Sequence, residues 1–162
     1  MSHAPGSERL LVAAGLIWLA GDPATLLVQR RSLRAAHGAG MLELPGGKIE
    51  RGEDPRIALA RELAEEWGPA THELEVGPVA EVLHHVYPAP GPEVVLIVLH
   101  VDGRAWSSGR WRARVVPELD AEAHEFAGAD LPTERFLAAD RPFVDALRSG
   151  RFPSPWSGRV DS

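Results

Sequence analysis

Three glutamates near the middle of the chain share one side of a predicted helix. Glu62 lies three residues before Glu65 and four before Glu66, so the three carboxylates occupy neighbouring surface. Each like-charge pair costs roughly 0.2–0.5 kcal/mol, and the dipole at the end of the helix adds about 0.3–1 kcal/mol. A hard cation such as Mg²⁺ or Mn²⁺, which takes oxygen ligands, would reverse both effects. The spacing therefore indicates a metal site, and a solvated acidic helix face is the simpler alternative.

The helix that carries these acids is predicted over residues 55–67. Asp54 is a favourable N-cap, and Pro55 suits the first helical position, where its missing N–H costs nothing. Gly68 ends the helix. The glycine-rich turn before it, Pro45-Gly46-Gly47, could bring a phosphate close to the metal. Apolar residues at helical spacing predict one buried stripe formed by Ile57, Ala60, Leu63, Ala64 and Trp67.

Turn and helix together resemble the Nudix box, G-x5-E-x7-R-E-U-x-E-E-x-G-U, in which U is a bulky apolar residue. Only the last position departs from the pattern, because Pro69 stands there. The resemblance implies the fold of Nudix hydrolases, an α/β/α sandwich with a mixed β-sheet between the box helix and a C-terminal helix. The matching positions are Gly47, Glu53, Arg61, Glu62, Leu63, Glu65, Glu66 and Gly68.

The resemblance also implies roles for the residues of the box. In this family the box arginine and the early glutamate commonly pair, which here means Arg61 with Glu53, and both are candidate catalytic residues. Clustered carboxylates raise one another's proton affinity, so Glu65 or Glu66 could also act as the catalytic base. The implied ligands of Mg²⁺ or Mn²⁺ are the carboxylates of Glu62, Glu65 and Glu66 and the carbonyl oxygen of Gly46.

The segment before the box resembles the MutT-type members of the family, which act on oxidised nucleotides. It runs from an arginine pair through a loop histidine to the sequence LELPGGKIE. The resemblance places Arg30, the first arginine of the pair, and His37 near the substrate. Gly47 and Lys48 in the glycine turn are further candidate substrate contacts. A solvated histidine and a solvated lysine are the alternatives.

Two functional positions are expected beyond the box. Family members place an additional acid, a metal ligand or general base, ahead of a late strand; Glu125 and Glu122 are the first candidates here and Glu118 the third. Asp140 stands where MutT-type proteins have an asparagine that contacts the base. An ionised aspartate only accepts hydrogen bonds, so it would suit a base that presents amino or ring N–H groups. Its alternative role is a helix cap.

The remaining segments predict one domain over residues 1–150 and a loosely held tail over residues 151–162. A closing helix is predicted to begin at Arg141. Residues 103–121 contain turn formers, arginines and Trp106 and Trp111; we interpret them as an ordinary loop rather than a base-stacking surface. Apolar segments predict strands at residues 10–20, 25–31, 79–88 and 93–101.

Composition narrows the choice of partners. The net charge of −6 argues against binding to a nucleic-acid polymer, because such proteins usually carry a basic face. The chain contains no cysteine, which excludes disulfides and thiolate chemistry. The apolar stretch at residues 10–20 is too short to span a bilayer. We therefore expect a cytoplasmic monomer or homodimer that binds a small nucleotide and no membrane.

The resemblance predicts a Mg²⁺-dependent pyrophosphohydrolase. The expected substrate is an oxidised or non-standard nucleoside triphosphate, cleaved to the monophosphate and pyrophosphate. Another Nudix substrate is the first alternative: CTP, a nucleotide sugar such as ADP-ribose, or a dinucleoside polyphosphate. A non-catalytic Nudix module that binds nucleotides and an interaction domain with a solvated acidic helix are the others.

Overall fold

A mixed sheet of seven strands lies between two helices in residues 8–157, the part of the chain that the computed structural model describes. This is the predicted α/β/α arrangement. The two helices are α1, Pro55–Trp67, and α2, Arg141–Arg148. The strands are β1 Arg9–Ala20, β2 Thr25–Arg30, β3 Leu42–Glu43, β4 Gly46–Lys48, β5 Glu75–Val86, β6 Glu93–Ser107 and β7 Glu122–Ala127.

Strand β1 holds the sheet together, because it pairs with three others. Along the sheet the order is β3-β2-β1-β6-β5, with β1 and β6 parallel and the neighbouring pairs antiparallel. Strand β4 also pairs with β1, and β7 with β2. The apolar run that predicted a strand at residues 10–20 is buried on both faces from Ala13 to Leu19, as a central strand requires.

Each face of the sheet carries its own apolar core. Alternate residues of β1 and β2 face opposite sides, so Leu16 and Leu26 pack toward α2, and Ile17 and Leu27 pack toward α1. The largest residues of the α1 side are Trp67, Trp106 and Trp111, and those of the α2 side are Trp18, Phe136 and Phe143.

Among residues 8–157, no helix is both long and apolar enough to cross a membrane.

Helix α1 has the predicted bounds, and two members of the predicted buried stripe, Leu63 and Trp67, are buried. The other three are wrong: Ile57 is 63% exposed, and Ala60 and Ala64 are exposed as well. Ala58 and Leu59 are buried in their place. The larger side chains Leu59, Leu63 and Trp67 recur at i, i+4 spacing and form the contact line with the sheet. Compared with the prediction, the helix is rotated by about one residue, or 100°, about its axis.

The segment 103–121 is more ordered than a plain loop. Strand β6 continues to Ser107, and a short 3₁₀ turn follows at Trp111–Ala113. Trp106 and Trp111 are 2% and 3% exposed, so neither offers a base-stacking surface. Their indole N–H groups donate to the carboxylates of Glu73 and Glu125, at 2.9 and 2.7 Å.

The segment after α2 returns to the sheet. Phe152 packs against Phe143, with ring centroids 5.0 Å apart. The ring of Trp156 meets that of His100 edge-on, and Ser154 is buried. Residues 1–7 and 158–162, which include the end of the predicted tail, lie outside the described residues.

Candidate active site

Two adjacent glycines let the turn before α1 approach the sheet and the helix at the same time. Gly46 has φ +152°, and a Cβ atom there would lie 2.0 Å from the carbonyl oxygen of Ala13 in β1. A Cβ atom on Gly47 would lie 2.3 Å from the Cδ atom of Glu62 in α1. The backbone of β1 therefore leaves no room for a side chain at position 46, and a side chain at position 47 would displace the Glu62 carboxylate. The backbone of the turn itself borders the acidic cluster.

Arg61 joins the loop before α1 to the helix. Its guanidinium donates two hydrogen bonds to Glu53, at 2.8 and 2.9 Å, which is the pair that the resemblance implied. It also donates to Glu62 at 3.0 Å, to Glu65 at 3.3 Å and to the carbonyl oxygen of Lys48 at 3.0 Å. The hydrogen bonds from Arg61, followed by one from the backbone N–H of Glu50, lower the pKa of Glu53 to about 2. The pKa of Arg61 is raised by the same pairing.

Glu66 is the acid in an unfavourable environment. Burial, together with the nearby carboxylates of Glu43, Glu62 and Glu118, raises its pKa to about 8. The backbone N–H of Gly46 donates to its carboxylate at 3.3 Å and only partly offsets these effects. A carboxylate that is surrounded by other carboxylates matches the preference of hard divalent cations for charged oxygen ligands.

The three box glutamates do not converge on one point in this arrangement. Glu65 is turned toward Arg61 and Glu66 faces the glycine turn. Glu62 borders both, with Oε1 bonded to Arg61 and its carboxylate against Gly47. Among residues 8–157, no group of three acidic or histidine side chains is close enough together to hold a metal ion. Metal binding by this set therefore requires Glu65 to leave Arg61, and its side chain is 57% exposed and has room to move.

Three adjoining cavities form one cleft beside this cluster. The central cavity, about 320 Å³, is lined by Arg31, Glu43, Gly46, Gly47, Lys48, Glu66 and Asp140. On one side lies an apolar cavity of about 220 Å³, whose walls include Leu83, His85, Tyr87, Leu96, Phe143 and, shared with the central cavity, Asp140. On the other side lies an acidic cavity of about 260 Å³, lined by Arg31, Glu43, Glu66, Glu118 and Leu119, among others.

Asp140 lies at the boundary between the central and apolar cavities. It occupies the N-cap position of α2, but its side chain makes no capping hydrogen bond. Burial and the carboxylate of Glu43 raise its pKa to about 6, against the opposing effect of the Arg31 guanidinium. Its carboxyl group is therefore available to a ligand in the cleft.

The structure places the second arginine of the pair in the cleft and the first outside it. Arg30 donates to the carbonyl oxygen of Asp120 at 2.7 Å and lies 3.4 Å from Glu122. Arg31 donates to Glu43 at 2.8 Å and to the carbonyl oxygen of His37 at 3.0 Å. His37 itself is exposed, and its contact with the site is made through its backbone. Arg30 is the last residue of β2 and Arg31 follows it directly, so alternation turns the two side chains to opposite sides and only Arg31 lines the cleft.

The acids after β6 are not arranged in the expected order. The backbone N–H of Glu118, the third candidate, donates to the carbonyl oxygen of Glu66 at 2.8 Å, and the residue lines the acidic cavity. Glu122 instead contacts Arg30 and His124. Glu43, which sequence reasoning did not single out, lines both the central and the acidic cavity. Its position between buried Leu42 and Leu44 was the available signal, because alternation turns it away from their core.

Glu125 accepts hydrogen bonds from four protein groups. They are the hydroxyls of Thr25 and Ser108, the backbone N–H of Gly109 and the indole of Trp111. Burial alone would raise the pKa of Glu125, but these donors outweigh burial and lower it to about 2. The structure thus gives this carboxylate a role in fixing the loop after β6 rather than a place in the cleft.

We expect Glu125→Gln to lower the free energy of unfolding at pH 7 by about 1–3 kcal/mol, because hydrogen bonds to an ionised carboxylate are replaced by weaker hydrogen bonds to a neutral amide. The folded-state pKa is depressed, so the stabilisation by Glu125 is present above pH 4.5 and is lost as the pH falls toward 2. Urea unfolding between pH 2 and pH 7 measures both effects. An unchanged acid dependence in the variant would contradict this role.

Comparisons with known proteins agree with the geometry. The model of the NUDIX domain matches residues 9–147. The 8-oxo-dGTP diphosphatase of Escherichia coli (strain K12) is 32% identical over 141 residues, which cover 87% of this chain and 98% of that protein. A protein of Mycobacterium tuberculosis (strain ATCC 25618 / H37Rv) named "Putative 8-oxo-dGTP diphosphatase 2" is 55% identical over 53 residues; the match covers 33% of this chain and only 37% of that relative's length.

The fold is shared with solved structures as well. A MutT protein from Methanosarcina mazei Go1 superposes with a TM-score of 0.70 at 23% identity, covering 91% of this chain and 99% of that one. The NUDIX match extends over β1 to α2 and contains every element that borders the cleft. The chain therefore belongs to the Nudix hydrolase family and is similar to its MutT-type members.

Proposed function

We propose that this protein hydrolyses a phosphoric anhydride bond in a nucleoside triphosphate, releasing the monophosphate and pyrophosphate, with Mg²⁺ or Mn²⁺ as cofactor. An oxidised or non-standard nucleotide is the favoured substrate. Support for this choice comes from the relatives in Escherichia coli and Mycobacterium tuberculosis, whose names refer to 8-oxo-dGTP diphosphatase.

The observation that carries the proposal is the division of the cleft into an apolar and an acidic end. A nucleobase is flat and largely apolar, with hydrogen-bonding groups on its edge, and it suits the cavity lined by Tyr87, Phe143 and Asp140. The phosphates suit the other end, where a cation between them and Glu66 or Glu118 would satisfy both sets of negative charge. A nucleotide would therefore lie along the cleft, with its phosphates at the box.

The residues of the box fit a divalent cation. Glu66 is partly buried among carboxylates. Glu62 and Glu65 would bind the same cation if it replaced Arg61 as the partner of their carboxylate oxygens. When bound, such a cation neutralises charge on the phosphates and acidifies a water molecule for in-line attack. The carbonyl of Gly46 would complete the ligand set.

The chain's own side chains would supply the other parts of the reaction. Lys48 has an exposed ammonium group beside the central cavity and would neutralise a phosphate oxygen. Glu118 would take a proton from the attacking water on its carboxylate, since its backbone is bonded to the Glu66 carbonyl at the acidic end. Arg61 and Glu53 would hold the loop against α1 throughout.

A nucleotide panel tests this proposal. Purified protein is incubated with Mg²⁺ and 8-oxo-dGTP, the common nucleoside triphosphates, ADP-ribose and a dinucleoside polyphosphate. The nucleotide products are separated by chromatography, and the release of pyrophosphate and phosphate is measured separately. Pyrophosphate release that requires the metal and is fastest with a triphosphate is the expected result. Preference for ADP-ribose or a dinucleoside polyphosphate would contradict the substrate assignment, and no hydrolysis of any nucleotide would contradict the enzymatic function.

Asp140 gives the proposal a pH-dependent signature. Its pKa is raised to about 6, so the carboxyl is ionised above pH 6 and accepts hydrogen bonds only. We expect affinity for nucleosides whose bases present N–H donors, which carry no titrating phosphate, to fall by about 10-fold as the pH drops from 8 to 5. In Asp140→Asn this dependence should vanish. Isothermal titration calorimetry over this range provides the measurement, and the same pH profile in both proteins would rule out contact between Asp140 and the base.

A further inference from the structure

Glu43 occupies the middle of the cleft. It lines both the central cavity, which it shares with Asp140, and the acidic cavity, which it shares with Glu118. Its neighbours Leu42 and Leu44 are buried in the apolar core, so alternation along the chain turns the Glu43 side chain to the opposite side. No step of the proposed reaction uses this carboxylate, although it is adjacent to both ends of the substrate path.

The orientation of the Glu43 side chain is fixed by a sequence of hydrogen bonds that begins in α1. The indole N–H of buried Trp67 can only donate, and it donates to the Oε1 atom of Gln29 at 2.8 Å. The amide nitrogen of Gln29 must then face the other way, where it lies 3.4 Å from Oε1 of Glu43, its cross-strand partner. Arg31 donates to Oε2 of Glu43 at 2.8 Å. Two donors, Gln29 in β2 and Arg31 directly after it, thus hold the Glu43 carboxylate of β3 in place.

The chemistry of this carboxylate limits what it can bind. Each of its oxygens has one protein donor and can accept another, so it requires a ligand group that donates a hydrogen bond. Phosphate oxygens of a triphosphate carry negative charge and would be repelled. In the proposed orientation, the base lies at the apolar end and the phosphates at the acidic end. The part of a nucleotide between them is the sugar, whose hydroxyl groups are donors.

We propose that Glu43 accepts a hydrogen bond from a sugar hydroxyl of the bound nucleotide and thereby sets the position of the nucleotide along the cleft. This inference rests on the proposed function. It restricts the substrate class to nucleotides with a free sugar hydroxyl. It also gives Gln29 and Trp67 a positioning role, because they orient the carboxylate without contacting the substrate themselves.

A cycle of two substrates and two proteins tests the contact. kcat/KM is measured for wild type and Glu43→Ala, each with the preferred nucleoside triphosphate and with its 2′,3′-dideoxy analogue. In wild type, loss of the hydroxyls should lower kcat/KM by about 10- to 100-fold, the range expected for a hydrogen bond to a charged acceptor. In Glu43→Ala the two substrates should differ by less than about 3-fold. Equal discrimination by both proteins, or none in wild type, would overturn the proposal.

Asp102→Ala provides the matched control. Its carboxylate is similarly buried, with 19% of the side chain exposed against 22% for Glu43, and it pairs with an arginine on the same sheet, but it does not line the cleft. This variant should keep the full discrimination against the dideoxy substrate. If Glu43→Ala does not fold, as judged by its thermal unfolding, Glu43→Gln keeps the side-chain size and should reduce the discrimination in the same direction.

A binding measurement separates this proposal from the enzymatic function. Calorimetric titration of nucleoside monophosphates and their dideoxy analogues into both proteins repeats the cycle without turnover. Loss of hydroxyl discrimination in Glu43→Ala supports the sugar contact even if wild type hydrolyses nothing. Retained discrimination refutes the contact even if wild type is a fast pyrophosphohydrolase.

Discussion

Glu66→Gln is expected to lower kcat by about 1,000-fold or more, because a metal ligand contributes several kcal/mol of transition-state stabilisation and each 1.36 kcal/mol is tenfold in rate. The amide keeps the shape of the side chain and can still accept the hydrogen bond from the N–H of Gly46, so the fold should persist. Steady-state kinetics with saturating Mg²⁺ and nucleotide measure the effect. A variant that retained wild-type kcat would remove Glu66 from the catalytic site.

The free energy of unfolding of Glu66→Gln shows whether its lower kcat is caused by unfolding. In the metal-free protein the pKa of Glu66 is raised to about 8, so the folded state retains a proton that the unfolded state releases above pH 4.5. The free energy of unfolding should therefore fall as the pH rises from 4.5 to 8, and this fall should be smaller in Glu66→Gln. Glu50→Gln is the matched control for activity: its side chain is 70% exposed and 4.0 Å from Arg61, and we expect kcat to change by less than about 3-fold.

Gly46→Ala is expected to cause the largest loss of stability, about 3 kcal/mol or more of the free energy of unfolding. The new Cβ would lie 2.0 Å from the Ala13 carbonyl oxygen and 2.8 Å from the Ala14 Cα, and both belong to the central strand β1. Overpacking against backbone costs about 1–3 kcal/mol, and the positive φ of 152° adds to this cost. Urea unfolding at pH 7 measures the loss.

Gly52→Ala separates the two causes. Gly52 also has a positive φ, +80°, but a Cβ atom there would meet nothing within 4 Å. Gly52→Ala should lower the free energy of unfolding by only about 1–2 kcal/mol, because only the backbone conformation is unfavourable for alanine there. Equal losses in the two variants would show that the contact between the glycine turn and β1 is not what excludes a side chain at position 46.

The sequence was most informative where structure depends on local spacing. The helix over residues 55–67 follows from its N-cap, first-turn proline and terminal glycine, and Asp54 does accept the hydrogen bond from the N–H of Arg56. The buried strand at residues 10–20 follows from its uninterrupted apolar run. Both features are properties of contiguous residues, so no knowledge of the rest of the fold was needed.

Features that depend on distant parts of the chain were not predictable in the same way. The rotation of α1 is decided by contact of Leu59, Leu63 and Trp67 with the sheet. Helical spacing alone could not exclude Ile57, Ala60 and Ala64 from the stripe that contains Leu63 and Trp67. Which arginine of the pair enters the cleft depends on how β2 is registered against β3. The position of Glu118 beside Glu66 results from a backbone hydrogen bond across 52 residues of sequence, from Glu118 to Glu66, which no local pattern reveals.

A second backbone hydrogen bond lies beside the one from Glu118 to Glu66: the N–H of Val116 donates to the carbonyl oxygen of Trp67 at 2.9 Å. Together the two bonds satisfy carbonyl groups at the final turn of α1 that would otherwise lack partners. These two bonds join the segment that carries Glu118 to the end of the helix that carries Glu66. Hydrogen exchange at the Val116 and Glu118 amides should therefore occur at the rate at which the last turn of α1 frays. Shortening the segment that carries Val116 and Glu118 should change the pKa of the Glu66 carboxyl group, although Glu66 itself is not replaced.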